Sequence, residues 1–504
     1  MIALDGATWD RIDPLIAGGR LPHLAKLCQE GARGVLTSID GVSPTLFTTI
    51  ATGKTPEQHG ILRFVKEGNE PFTSADRKVR ALWNVVSERG GTVNVVGWFT
   101  TWPAEEVNGA FISDRCEGAL PGGAFPSELD MLLASTSRAL PPGEAARLAE
   151  RLYGPPIPAE EASSDVLRDY ASFEASIVDY FRTDLLRLEW AETLLRRQPA
   201  DFNAVFFKGI DPISHQSWIF SEPQAFLPRC RPTAGALARY GDAIDRYYVF
   251  MDEAIGRLVA AAPSGTHLVI VSDHGFGPTK DEAGAPVYRL NRLLARAGFI
   301  EADAAGHPDE ERSLLIDPTP IWSEWRTERT LRLNPHLPES QHLDGIVARL
   351  RGLTTPGGVP IFSQVAPAGK AKIAVVLEPR LEQLQGQEDG AGIVSWRLGH
   401  TGGHRPEGIV LLAGPDVRPG ARLDKADLYD LAPTVLRLLR LPRARDMRGH
   451  ILESALRLDT LGPEIPPVKS YETKAVIRRV KTAPMPTSMD DEFRNRLRTL
   501  GYIQ

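Results

Sequence analysis

Asp273 and His274 are adjacent, and both side chains can ligate a metal ion or move a proton. They follow the apolar, β-branched run 268–271 and precede Gly275, a pattern that predicts a buried strand ending in a turn. In open α/β sheets, ligands bind just beyond the carboxyl ends of the strands. The same pattern recurs twice. Ile2, Ala3 and Leu4 run into Asp5-Gly6, and the apolar run from Ala204 ends at Asp211, with His215 four residues on. Three strand-like runs, far apart in sequence, each deliver an acid to a sheet edge. Together they predict an assembled metal site.

A second segment supplies a nucleophile. From Gly41 to Gly53 the chain reads as a short helix, with Ser43 predicted at the N-cap, Pro44 at the first helical position and Gly53 past the end. A helix N-terminus offers unpaired N–H groups and a positive dipole end, which suit an anion such as phosphate. A serine placed there can attack a phosphoryl group whose charge the helix helps to hold. Taken singly, each feature has a plainer reading. Ser-Pro caps many helices, Asp-Gly is an ordinary turn, and Asp211 with His215 is an ordinary i, i+4 pair. Only the set points to chemistry.

The rest of the chain must position these groups. Its 504 residues, 42% of them hydrophobic, can bury a sizeable core. A net charge of -6 argues against a nucleic-acid-binding surface. Three widely spaced cysteines, Cys28, Cys116 and Cys230, form no disulfide framework, which makes a reducing, cytoplasmic compartment the default. No run of about 18 apolar residues predicts a membrane span. The chain starts inside its first strand, so an upstream start with an export signal stays open. Residues 1–114 alternate strand and helix, the rhythm of a largely parallel sheet. Residues 115–200 read as a helical cap insertion, helical over 166–197. Residues 201–281 return to the core with the metal motifs, and 282–390 form a second, irregular insertion. Residues 391–457 complete the core, and 458–504 form a Pro-rich tail whose apolar end, 500–503, is expected to dock on the core or a partner.

These motifs resemble those of the alkaline phosphatase superfamily, in its type I phosphodiesterase/nucleotide pyrophosphatase family. The opening Leu4 to Asp10 with Gly19 to Leu24 is similar to that family's first motif, and Ser43 to Ile61 to its nucleophile helix and following loop. Asp211 to His215, Asp273-His274-Gly275 and Gly403 to Pro415 are similar to its metal motifs, in the family's order. The resemblance implies an α/β fold with a large central, mostly parallel β-sheet between helices, carrying helical or irregular cap insertions. It implies two divalent metal ions. Asp5, Ser43, Asp273 and His274 would hold one, and Asp211, His215 and His404 the other, with His400 a competing ligand. Carboxylate and imidazole suit zinc, and also manganese or iron. His59, in the matched loop, is expected to be structural. Two metals about 4 Å apart would activate Ser43 and stabilise the leaving oxygen. The expected reaction is a covalent two-step hydrolysis of a small-molecule phosphoester through a phosphoserine, with retention at phosphorus.

The departures matter too. The family's nucleotide pyrophosphatases carry an asparagine at the position of Phe64, which helps hold a phosphate oxygen; Arg63 beside it is a candidate substitute. Phe47 stands where sulfatases carry an arginine, and the serine motif of cofactor-independent phosphoglycerate mutases is missing. A phosphomonoesterase or phosphotransferase of the same superfamily is the first alternative. A catalytically silent, metal-stabilised scaffold is the second, and the intact Ser43 argues against it. No Gly-x-Gly-x-x-Gly follows a strand, which removes a dinucleotide-binding oxidoreductase. Trp98, Phe99 and Trp102 follow a predicted strand at 93–96 and read as packing, with stacking on a base or sugar as the other reading. The charged stretch 183–197 reads as a solvated face. Oligomeric state is not legible.

Overall fold

The computed structural model describes residues 1–66, 70–115, 122–136, 143–157, 165–226, 232–279, 286–288, 290–301, 309, 312–317, 327–355, 357–369, 371–384, 394–396, 401–473 and 476–481. His400, Cys116, Cys230 and the apolar end 500–503 lie outside the described residues.

The strands, in chain order, are β1 (Ile2–Leu4), β2 (Ala32–Thr37), β3 (Val93–Val96), β4 (Gly109–Ile112), β5 (Ala124–Phe125), β6 (Phe202–Phe207), β7 (Leu268–Val271) and β8 (Gly275–Pro278). They continue with β9 (Pro286–Tyr288), β10 (Leu315–Ile316), β11 (Glu328–Leu333), β12 (Phe362–Pro367), β13 (Lys372–Leu377), β14 (Val394–Trp396), β15 (Gly402–Arg405), β16 (Glu407–Ala413) and β17 (Arg422–Leu423). Nine of them form one sheet in the order β17-β2-β16-β7-β1-β6-β3-β4-β5. β1 runs parallel to β6 and β7, β3 to β4 and β6, and β2 to β17. β16 is antiparallel to both β2 and β7, and β5 to β4. The fold is therefore α/β, with a large, mostly parallel central sheet.

Both faces of this sheet are covered, as its nearly unbroken apolar strands require. Ile2, Leu4, Val205, Phe207, Ile270 and Leu411 point into one core, filled from helices Asp165–Arg197 and Ala243–Ala261 by residues such as Leu188, Trp190, Tyr247 and Met251. Ala3, Ala204, Phe206, Val269, Val271 and Leu412 point into the other, under helices Ser43–Thr52, Leu82–Glu88 and Leu431–Leu438. The alternation along each strand is the period of two that separates the faces. The charged stretch 183–197 differs from the solvated face expected of it: Leu188, Trp190 and Leu194 are buried against the sheet and Arg187 is buried with them, while Glu189, Arg196 and Arg197 are exposed. A separate core lies over residues 290–381. There β10-β11-β13-β12 form an antiparallel sheet against helix Leu343–Arg351.

One buried ion pair ties the edge of the main core together. Arg77 Nη2 donates to Glu105 Oε2 at 2.8 Å and to Asn84 Oδ1 at 2.9 Å, with both charged side chains almost wholly buried. Burial alone would raise the Glu105 pKa. The Arg77 charge and the hydrogen bonds from Arg77 and Asn84 together outweigh it and leave the carboxyl below its ordinary range. A depressed carboxylate stabilises the fold above its unfolded pKa and loses that contribution as pH falls through the folded one. Arg77→Ala would leave Glu105 buried and uncompensated. Urea unfolding at pH 7 should show a loss of about 3–5 kcal/mol, shrinking as the pH is lowered toward 4; a loss that does not change with pH would contradict this reading.

Candidate active site

The register of the parallel strands sets the site. Leu4 pairs with Phe207 and Ala3 with Val271. The next residues, Asp5 after β1 and Lys208 after β6, stand at one level, and Asp273, two past Val271, stands beside them. The Asp5 amide extends the ladder by donating to Phe207 O at 3.0 Å. Asp5, Asp211 and Asp273 are all fully buried.

Asp211 and His215 lie one turn apart on helix Ile210–Ser221, so both side chains leave the same face. His404 arrives on β15, which pairs antiparallel with β8 and places His404 opposite Phe276. Asp273 and His274 occupy the turn between β7 and β8. Two groups result, Asp5 with Asp273 and His274, and Asp211 with His215 and His404, each with its ligand atoms within 4.8 Å of one another. His274 Nε2 lies 3.4 Å from Asp5 Oδ1 and 3.6 Å from Asp273 Oδ2, and also 3.8 Å from Asp211 Oδ1 in the other group. His404 Nε2 is 3.2 Å from Asp211 Oδ1 and 3.0 Å from His215 Nε2.

The donor set fits divalent cations. His215 Nδ1 is 2.8 Å from Gly402 O and His274 Nδ1 is 3.1 Å from Gly275 O, so each donates there and turns its Nε2 inward. Neither Asp273 oxygen has a hydrogen bond of normal geometry, although the Gly6 amide lies near enough to favour its charge. Buried polar atoms of this kind are rare in folded proteins unless something else satisfies them. The converging negative charge is felt by its members. Burial, with the charges of Asp5 and Asp211, holds the Asp273 carboxyl well above its ordinary range. Burial would lower the His274 pKa, but Asp273, Asp5 and Asp211 carry it up to about 10.

Ser43 does not cap its helix as expected. Val42, in extended conformation, is the cap, and Ser43 is the first residue of helix Ser43–Thr52. Its hydroxyl is thereby released from the backbone and donates to Asp5 Oδ1 at 3.2 Å. The helix is buried at every position. Thr48, Thr49 and Thr52 satisfy their hydroxyls on carbonyls one turn back, at 2.7, 3.0 and 2.7 Å. Gly53, at φ +66°, ends it as predicted. His59 Nε2 meets Thr49 Oγ1 at 3.1 Å while its Nδ1 accepts from the Ile61 amide at 3.1 Å, and burial pushes its pKa down to about 3. It ties the following loop to the helix.

Arg63 is exposed, whereas Phe64 is buried with its ring 6.0 Å from that of Phe99. Trp98, Phe99 and Trp102 are buried as well. Trp98 packs edge-on against Phe47 at 5.9 Å and donates to Phe47 O at 3.3 Å, which favours the packing reading over base stacking.

Two residues escaped the sequence reading. Lys208 Nζ lies 3.2 Å from Asp5 Oδ2 and 3.8 Å from Asp211 Oδ2. Burial opposes its charge, but Asp5 and Asp211 outweigh it and hold its pKa above the ordinary lysine range. The signal was a lysine at the end of an apolar run, in register with an acid. Asp184, on helix Asp165–Arg197, accepts from the Lys208 and Gly209 amides at 3.0 and 2.9 Å and from Tyr247 Oη at 2.9 Å. No local signal marks it.

Residues 1–343 match the family model described as type I phosphodiesterase / nucleotide pyrophosphatase. Among solved structures, phosphonoacetate hydrolase from Sinorhizobium meliloti 1021 in complex with phosphonoformate is 15% identical, over 86% of this chain and 93% of that one, with a TM-score of 0.40. Human ectonucleotide pyrophosphatase / phosphodiesterase 5 is 14% identical, over 88% of this chain and 95% of that one, with a TM-score of 0.35. No curated protein matches. No helix among the described residues is long and apolar enough to cross a membrane.

Two measurements probe this geometry. A Cβ on Gly209 would sit 1.6 Å from Tyr247 Oη, so Gly209→Ala must displace either the buried Tyr247 or the turn that leads into Asp211. Zinc affinity, read by competition with a chromophoric chelator, should fall about 10–100-fold in that variant; wild-type affinity would refute the role given to the turn. In the wild type, a cation must displace the proton that His274 holds up to about pH 10. Affinity should therefore rise between pH 6 and 9, and a flat profile would argue against His274 as a ligand. On the family match, which spans Asp5, Ser43, Asp211, His215, Asp273 and His274, the chain belongs to the type I phosphodiesterase / nucleotide pyrophosphatase family.

Proposed function

We propose that the protein hydrolyses a small-molecule phosphoester, most directly a phosphodiester, with Ser43 as nucleophile and two divalent cations as cofactors. Asp5, Ser43, Asp273 and His274 would hold one cation and Asp211, His215 and His404 the other. Zinc fits this mix of oxygen and nitrogen donors, as do manganese and iron. The observation that carries the reading is the contact of Ser43 Oγ with Asp5 Oδ1, at the start of a buried helix and against one of the two ligand groups.

When bound, such cations would supply a lowered serine pKa and charge for the leaving oxygen. The chain's own residues do the rest. Asp5 orients the Ser43 hydroxyl. The start of helix Ser43–Thr52 places the positive end of its dipole toward an incoming phosphoryl group. Ser43 Oγ forms the new bond to phosphorus as the ester oxygen leaves, giving a phosphoserine, and water then cleaves it in line. Two inversions give retention. Phe64 packs against Phe99, and Lys208 Nζ lies over the Phe99 ring.

The test is turnover of a nitrophenyl phosphodiester and the matching monoester, with zinc or manganese, by wild type and Ser43→Ala. Diester turnover that falls at least about a thousandfold in the variant is expected, with a phosphorylated Ser43 peptide recovered after acid quench. Turnover of the monoester alone would move the protein to the monoesterase alternative. Full diester activity in Ser43→Ala would sink the covalent mechanism.

A further inference from the structure

The proposed mechanism gives the ammonium of Lys208 no part, yet it is placed as deliberately as any ligand. Its backbone stands level with Asp5 at the end of β6, and Asp184 holds that backbone through the Lys208 and Gly209 amides. Its side chain runs over the Phe99 ring, with Nζ 4.9 Å from the centroid. From there Nζ reaches one carboxylate in each ligand group. The oxygens divide cleanly. Asp5 turns Oδ1 to Ser43 and His274 and Oδ2 to Lys208. Asp211 turns Oδ1 to His215 and His404 and Oδ2 to Lys208. Asp273, which has no lysine contact, has no hydrogen bond of normal geometry on either oxygen.

We propose that Lys208 is a built-in counter-charge shared by both ligand groups: its ammonium neutralises the outer oxygens of Asp5 and Asp211 in the metal-free protein and by its charge moderates how tightly cations bind. The inference rests on the two-cation reading above. A fixed positive charge beside two cation sites has a definite sign of effect. It stabilises the metal-free protein, where it offsets buried carboxylates. It opposes cations in the loaded protein, where it repels them. A residue with a merely structural role would change both states alike and leave metal affinity where it was.

The experiment compares wild type, Lys208→Met, which keeps an unbranched apolar stem and removes the charge, and Lys208→Arg, which keeps the charge. Each is melted without metal and with zinc, and zinc affinity is measured by chelator competition at pH 8. In Lys208→Met the metal-free protein should melt lower, the zinc-loaded protein should stay close to wild type, and zinc should bind about tenfold tighter or more. Lys208→Arg should restore most of both properties. Equal destabilisation of both states with unchanged affinity, or weaker zinc binding, overturns the proposal. If Lys208→Met does not fold without metal, the double variant with Asp5→Asn decides: folding of the double variant supports the pairing, and its failure overturns it. Wild type that binds no zinc would sink the two-cation reading itself. Wild type that binds zinc, with Lys208→Met unchanged, sinks only the role of the lysine.

Discussion

The pairing of Leu4 with Phe207 and of Ala3 with Val271 is the constraint on which the site depends. A strand has a period of two, so a slip of one residue would send Ile2 and Leu4 to the wrong core and move Asp5 off the level of its partners. Both consequences act together. The two apolar cores that select this register also deliver the acids to one edge. The chemistry is thus fixed by the packing of side chains that never touch it. Ile2 and Leu4 go one way, Ala3 the other, and Asp5 comes next in line.

Bringing Asp5, Asp211 and Asp273 together in a buried place is electrostatically costly, and the surrounding structure shows how the cost is met. Lys208 supplies a full charge to two of them. The imidazoles of His215 and His274 are oriented by backbone carbonyls. Asp273 alone is left without a normal hydrogen bond, and its carboxyl is driven well above its ordinary range by burial and by its neighbours' charges. A cation there would satisfy what the protein leaves open, and site formation and metal binding would then be one equilibrium.

Much of this was legible in the sequence because the informative signals are local. An apolar run followed by an acid marks the strand ends before Asp5 and Asp273. Asp211 differs: β6 ends at Phe207, and Asp211 lies with His215 on helix Ile210–Ser221, at the i, i+4 spacing that taken alone reads as an ordinary pair. Pro44 and Gly53 bracket a helix, and the structure moved only its cap, from Ser43 to Val42. That shift frees the hydroxyl, since a capping hydroxyl is occupied by the backbone and Ser43 is instead turned to Asp5. What was not legible depends on tertiary partners. The stretch 183–197 carries enough charge to read as solvated, but a long helix can bury one stripe and expose the rest. Asp184 is visible as important only once the turn at Gly209 is seen against it. Lys208 lies within the apolar run that leads to Asp211, but a lysine acquires meaning there only through the register that sets it beside Asp5.

The second ligand group adds a further point. His404 lies beyond the part of the chain that matches the family model, on a short strand far from Asp211 in sequence. Yet it is not loosely held. The Thr401 amide donates to His215 O at 2.7 Å, and the Gly402 carbonyl meets His215 Nδ1 at 2.8 Å. A Cβ at Gly402 would lie 2.2 Å from Ser214 O, so only glycine lets this strand lie against the helix so closely. The helix therefore orients the histidine it carries through the very strand that brings the other histidine. Two histidines on separate elements are locked by backbone contacts between those elements, and the site's precision comes from small residues at close approach as much as from the side chains that would hold metal.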